Sequence, residues 1–347
     1  MNSPIRFAII GAGNIADFHA RAIDLVPNAQ LVAAHSRTAA TGEAFAAKFG
    51  CAFADNLDDL LARPDVDAIA ITTPSGTHAE IGIAAARAGK HILCEKPLDV
   101  TLDKIDALIE ACDTSGIQFG AIFQSRFGPG AQAAKRAVEQ GRFGRLSQCS
   151  AYIPWWRSKE YYASAGWRGT WALDGGGALM NQGVHGIDLL LWLAGDVTEV
   201  SARCQTRVHE TIEVEDNATA WLQFAHGGLG VIQGSTCCHP GETKRVELKG
   251  EKGSVTLMDD MPALWQFDEE HPEDEAVRAL AQSAQIGGGA SDPKAISVEG
   301  HRVQYEDFAA AILGNRPPAI PGREGRKAVA LIRAIYESSE SGAVVRL

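Results

Sequence analysis

The sequence predicts an α/β chain of two domains: a doubly wound parallel sheet at the N-terminus, then an α+β domain built on a large open, mostly antiparallel sheet. Three observations carry this. Over about the first 120 residues, short apolar runs alternate with amphipathic helical stretches, the pattern of parallel strands covered on both faces. A glycine turn, Gly11-Ala12-Gly13, separates the first apolar run from the first helical stretch. After Phe123, strand-like segments succeed one another with few helices between them, as in antiparallel sheets.

In the first part, runs at 7–10, 31–34, 68–71, 91–94 and 119–122 read as strands, and 15–25, 40–49, 77–88 and 102–115 as helices. The strand runs are almost wholly apolar, as strands buried on both faces must be. In the second part a helix at 130–140 precedes strands at 146–153, 198–207, 218–224, 230–236, 245–249 and 254–258. Helices at 177–193, 303–313 and 322–338 complete it, and residues 272–292, polar and glycine-rich, read as a loop. The boundary is placed between 123 and 124, so that the domains are 1–123 and 124–347, with the C-terminal helix free to pack back on the first.

The 347 residues are 46% hydrophobic and 22% charged, an ordinary globular balance, and carry 32 basic against 43 acidic side chains, a net charge of −11. Such a surface repels phosphate backbones and anionic headgroups, so neither nucleic acid nor a membrane is expected as partner. The most apolar segment, 189–194, falls far short of the roughly 20 residues of a bilayer span. No basic and apolar leader precedes Ile5, and the seven cysteines show neither a C-x-x-C pair nor zinc-like spacing with histidine. Reduced thiols, a cytoplasmic location and no metal are the expectation.

Gly11 permits a tight turn and Gly13 a close approach of backbone to a pyrophosphate, while Ala16 stands small where a third glycine often sits. Asn14 and Ile15 then open a helix whose N–H groups and dipole favour an anion. Strand, glycine turn and helix in this order are the signature of a Rossmann dinucleotide site. A site selective for NAD carries Asp or Glu about 20 residues after the glycines, on the ribose. Here the second strand ends in His35-Ser36-Arg37. A hydroxyl and a guanidinium with no carboxylate favour NADP(H), with NAD(H) the alternative if Arg37 lies over the adenine or caps its loop.

Three further segments stand with the glycine turn: Ile71-Thr72-Thr73-Pro74-Ser75-Gly76-Thr77-His78, Glu95-Lys96-Pro97, and 175–188 with the sequence GGGALMNQGVHGID. Together they resemble the glucose–fructose oxidoreductase/inositol dehydrogenase (Gfo/Idh/MocA) family over nearly the whole chain. The resemblance implies a Rossmann domain, an open sheet making homodimer or homotetramer contacts, and hydride transfer between a nicotinamide and a secondary alcohol or ketone of a sugar, cyclitol or sugar nucleotide. It implies that Lys96 is the catalytic-site lysine, that Pro97 directs it, and that His185 is the site histidine. Thr73, Pro74, His78, Glu95 and Lys96 are then expected along the cofactor. Asn181 stands where inositol dehydrogenase-like members have an aspartate, and an amide orients an imidazole without raising its pKa. Members that act on nucleotide sugars look closer to this pattern. The family also holds glycoside hydrolases that use bound NAD, and dinucleotide-sensing regulators without catalysis.

Oxidising an alcohol requires a group to take the hydroxyl proton and a donor to polarise the oxygen. His185 is expected as acid/base and Lys96 as donor, with exchanged roles open. Asn181 and His185, four apart, share a face if both are α-helical. Trp155, Arg157, Trp167 and Arg168 are expected at the substrate, aromatic faces for sugar C–H surfaces and guanidiniums for an anionic group, with about half of the segment's aromatics merely packing. Asp188, His301 and Tyr305 read equally as pocket or as scaffold.

Overall fold

The computed structural model describes residues 3–283 and 297–347. The chain divides into two compact units, Met1–Gln124 with Ser297–Arg326, and Ser125–Ile296 with Lys327–Leu347. The second stretch of the first unit lies in sequence that the 123/124 boundary assigned to the second domain.

In the first unit β1 (Ile5–Ile10), α1 (Asn14–Asp24), β2 (Ala29–His35), α2 (Ala39–Phe49), β3 (Ala52–Ala54), α3 (Leu57–Ala62), β4 (Ala68–Ile71), α4 (His78–Arg87), β5 (His91–Cys94), α5 (Leu102–Ser115) and β6 (Phe119–Ala121) follow in order. The six strands are parallel in the order β3-β2-β1-β4-β5-β6, the doubly wound arrangement whose switch point lies between β1 and β4. β3 and α3 carry no legible pattern, being three and six residues long.

The second unit holds α6 (Pro129–Glu139), β7 (Leu146–Pro154), α7 (Lys159–Ala163), a π-helical turn (Ala178–Gly183), α8 (Val184–Ala194), β8 (Val197–Gln205), β9 (Asn217–Phe224), β10 (Leu229–Ser235), β11 (Arg245–Gly250), β12 (Gly253–Met258), β13 (Met261–Phe267) and α9 (Asp274–Ser283). After α10 (Glu299–Leu313) and α11 (Gly322–Ser341) comes β14 (Val345–Arg346). The eight strands run β13-β12-β11-β7-β10-β9-β8-β14, antiparallel except for the β7/β10 pair.

α10 belongs to the first unit because its aromatic face completes that core: Tyr305 and Phe308 are fully buried, and the Tyr305 ring meets Phe7 of β1 edge-on at 5.1 Å. The loop expected over 272–292 is helical up to Ser283, and residues 284–292 lie outside the described residues. Asp274 fixes that helix's start. Its carboxylate accepts both Arg142 Nη groups at 2.8 and 2.7 Å and Trp265 Nε1 at 2.6 Å, a long-range anchor that composition does not display. β13 escaped detection because Pro262 interrupts it; a register shift opposite, between Thr256 and Leu257, accommodates the proline.

Candidate active site

His35, Ile10, Ile71 and Cys94 stand side by side at the C-terminal ends of β2, β1, β4 and β5. The residues just beyond, Ser36, Gly11, Thr72 and Glu95, therefore line one edge of the sheet, where open α/β folds bind ligands. Gly11 has φ +103°, and a Cβ there would stand 2.9 Å from the Thr72 carbonyl carbon and oxygen, so no larger residue fits. At Gly13, the N-cap of α1, a Cβ would meet nothing within 4 Å, and no side chain caps the helix. The protein's own packing thus gives no reason for this glycine, whereas an approaching anion does. Asn14 beside it is exposed and Ile15 half-buried, and at the neighbouring edge Ser36 is half-buried and Arg37 exposed. Thr73 and Pro74 are half-buried, with the Thr73 hydroxyl accepting from Thr77 Oγ1 at 2.8 Å.

His78 and Glu95, both expected along the cofactor and Glu95 also read as an anchor of its loop, are engaged within the unit. His78 is buried, with Nδ1 2.8 Å from the Pro97 carbonyl and Nε2 2.8 Å from the Thr73 carbonyl, so the ring ties the Thr73–Pro74 turn to the loop of Lys96. Glu95 is buried and accepts from His19 Nε2 at 2.8 Å and from the Lys96 backbone N–H at 3.1 Å; His301 Nε2 lies 3.5 Å away. Burial opposes a charge on Glu95, but the His19 and His301 rings outweigh it and hold the carboxyl well below the usual range. Burial lowers His19 in turn, which leaves Nδ1 to accept from the Tyr305 hydroxyl at 2.7 Å. Tyr305, His19 and Glu95 thus form a buried chain from α10 through the dinucleotide helix to the backbone of Lys96, itself half-buried. His301 and Tyr305 belong to this scaffold.

In the second unit the helix expected from 177 starts at Val184. Before it the backbone makes a π turn, with Gln182 N–H donating to the Gly177 carbonyl five residues back. Asn181 sits on that turn and His185 on the first turn of α8, both half-buried, so a common α-helical face does not describe them. Asn181 Nδ2 donates to Asp174 Oδ1, and its Oδ1 accepts from Gln182 Nε2 at 2.5 Å. Gln182 Oε1 accepts from Arg157 Nε at 2.8 Å. Within the glycine run, a Cβ on Gly177 would fall 2.0 Å from the Glu215 carbonyl oxygen, so the chain's own packing requires glycine there.

Trp155 and Arg157, expected at the substrate, are buried, with the guanidinium 5.0 Å from the Trp155 ring centre. Trp167 and Arg168 are half-buried. Asp188, read equally as pocket or scaffold, pairs bidentately with Arg126 at 2.8 and 2.6 Å, with exposures of 1% and 5%. Removing one partner of so dry a pair strands the other charge, so Asp188→Ala is expected to cost about 3–5 kcal/mol in urea unfolding. A loss below about 1 kcal/mol would contradict it.

Glu215 accepts from Gly177 N–H at 2.9 Å, Leu179 N–H at 2.8 Å and the Tyr336 hydroxyl at 2.9 Å. Burial nevertheless pushes its carboxyl up to about 7, the three donors pulling the other way. A carboxyl raised above its unfolded value of about 4.3 holds its proton more tightly when folded. Its contribution to stability is complete below that value and is lost as pH rises towards about 7. Between about pH 5 and pH 8, wild type should lose about 2 kcal/mol more than Glu215→Gln, whatever the variant's absolute stability. Parallel pH curves would show that the donors keep the carboxylate ionised throughout.

Comparison with known proteins matches this arrangement on both sides. The profile of an oxidoreductase family with an NAD-binding Rossmann fold covers residues 5–123, and that of the GFO/IDH/MocA C-terminal domain covers 131–256. The chain belongs to the Gfo/Idh/MocA oxidoreductase family. It is similar to the WlbA dehydrogenase from Bordetella pertussis, solved with NADH and UDP-GlcNAcA: identity is 34%, coverage 100% of this chain and 99% of that one, and the TM-score 0.91. The inositol 2-dehydrogenase of Rhizobium meliloti is 28% identical over 346 residues, 96% of each chain. The levoglucosan dehydrogenase of Pseudarthrobacter phenanthrenivorans is 31% identical over 219 residues, 56% of each. As in the family, the chain is an oxidoreductase with an NAD-binding Rossmann unit.

Within this Gfo/Idh/MocA member, sequence reasoning missed His19, Asp174 and Gln182, while Tyr161 belongs to the aromatic and arginine-rich stretch read as a candidate for substrate contact. Only His19 left a signal: it lies on α1 beside Ala16, Ala20 and Ile23, all buried, so a histidine there must find buried partners.

Proposed function

We propose that the protein is a nicotinamide-dinucleotide-dependent dehydrogenase/reductase for a secondary alcohol or ketone of a sugar or sugar nucleotide. The observation that carries this is the sheet edge on which Gly11, Gly13 and the pinned Lys96 loop stand together. The open space at Gly13 and the uncapped start of α1 fit a pyrophosphate. When bound, the nicotinamide supplies the hydride acceptor or donor. Lys96 donates a hydrogen bond to the reacting oxygen, and His185 takes the hydroxyl proton in oxidation and returns it in reduction. Asn181, held by Asp174 and Gln182, orients polar groups without adding charge. A nicotinamide absorbance screen with sugars, cyclitols and sugar nucleotides tests this; no turnover of any against either dinucleotide would overturn it.

Ser36 and the exposed Arg37 are read as ligands of a 2′-phosphate, so the protein is expected to bind NADPH more tightly than NADH. The advantage should shrink with salt, because an exposed guanidinium is screened, and should vanish in Arg37→Ala. The Bordetella relative holds NADH; tighter binding of NADH here, unaffected by Arg37→Ala in thermal-shift titrations, would remove this reading.

A further inference from the structure

The aromatic segment ahead of the π turn carries two guanidiniums with different fates. Arg157 is framework: buried, it donates from Nε to Gln182 Oε1 at 2.8 Å and from Nη1 to the Trp156 carbonyl at 2.7 Å. Arg168 lies with its guanidinium carbon 4.1 Å from the Tyr161 ring centre and 4.8 Å from that of Trp167. Its Nε is buried without a hydrogen-bond partner, and among the described residues no carboxylate pairs with it.

A donor of a charged group kept from water is costly unless something completes it. Two aromatic rings flank this guanidinium, and a flanked guanidinium with an unsatisfied N–H suits the paired oxygens of an oxyanion. A second positive charge stands close by, since Arg157 lies over the same Tyr161 ring at 5.4 Å. Burial, and to a smaller extent the charge of Arg168, pull Arg157 below the usual guanidinium range. An arriving anion relieves both. The location joins Arg168 to the candidate site, because Tyr161 Oη accepts from Gln182 Nε2 at 2.8 Å and that amide also donates to Asn181.

We propose that Arg168 is a substrate-binding residue that takes a carboxylate or phosphate oxyanion, so that the substrate is an anionic sugar rather than a neutral polyol. This rests on the function proposed above but is read by binding, not by turnover. Titrate wild type, Arg168→Gln and Arg168→Lys, each saturated with dinucleotide, with UDP-GlcNAcA and with UDP-GlcNAc, which lacks the carboxylate. The expected result is a Kd for UDP-GlcNAcA raised about 10- to 100-fold in Arg168→Gln, partly recovered in Arg168→Lys. An unchanged dinucleotide thermal shift serves as the control for folding.

If UDP-GlcNAc binding is untouched, the carboxylate is the ligand of Arg168; if it weakens equally, a phosphate is. Equal Kd values in wild type and Arg168→Gln, or no binding of either compound by wild type, would overturn the proposal. Binding that depends on Arg168 without any hydride transfer would instead count against the dehydrogenase reading alone.

Discussion

Lys96→Met is expected to lower turnover about 10³-fold while leaving dinucleotide affinity within a few-fold of wild type. Methionine keeps the length and apolar stem of the side chain but removes the only charged donor that the loop after β5 presents. The loop itself is fixed by other groups: Glu95 accepts the Lys96 backbone N–H, and His78 holds the Pro97 carbonyl. Neither anchor involves the ammonium, so the substitution removes a charge and spares the backbone that carries it. A fall in kcat with little change in dinucleotide Kd is the signature of a donor that acts on the transition state. If Lys96→Met turns over at more than about a tenth of the wild-type rate, the lysine has no chemical role.

His185→Ala is expected to cost about 10²- to 10⁴-fold in kcat, the range for removing a general acid/base. Its pH profile separates it from Lys96. In the oxidation direction kcat/KM falls at acid pH with the group that must be unprotonated, and that limb should disappear in His185→Ala while persisting in Lys96→Met. If the limb persists in His185→Ala and disappears in Lys96→Met, the two roles are exchanged. An asparagine at 181 makes this limb informative, because an amide places no charge beside the imidazole.

The parallel sheet was legible because its strands are buried on both faces and its turn needs glycine: a side chain at Gly11 collides with Thr72. The mixed sheet was legible wherever alternation survived, and failed at β13, where Pro262 interrupts it. Residue type alone did not show which candidate side chains the chain's own packing engages. His78, Glu95, Trp155 and Arg157 look, as residue types, like ligands for a cofactor or sugar, yet each is engaged by the scaffold. A linear sequence cannot show that His19, Glu95 and Tyr305, separated by up to 286 positions, share one buried chain. Nor can 3.6-residue periodicity reveal a π turn, since the extra residue leaves the pattern of Ala178–Gly183 helical in appearance.

The central claim, that a hydride leaves a sugar carbon for the nicotinamide, is tested most directly by isotope transfer. The best substrate of the absorbance screen, deuterated at its carbinol carbons, is incubated with oxidised dinucleotide, and the products are weighed by mass spectrometry. Hydride transfer predicts one deuterium in each reduced dinucleotide formed. Deuterium released to water, or reduced dinucleotide that carries none, would contradict it.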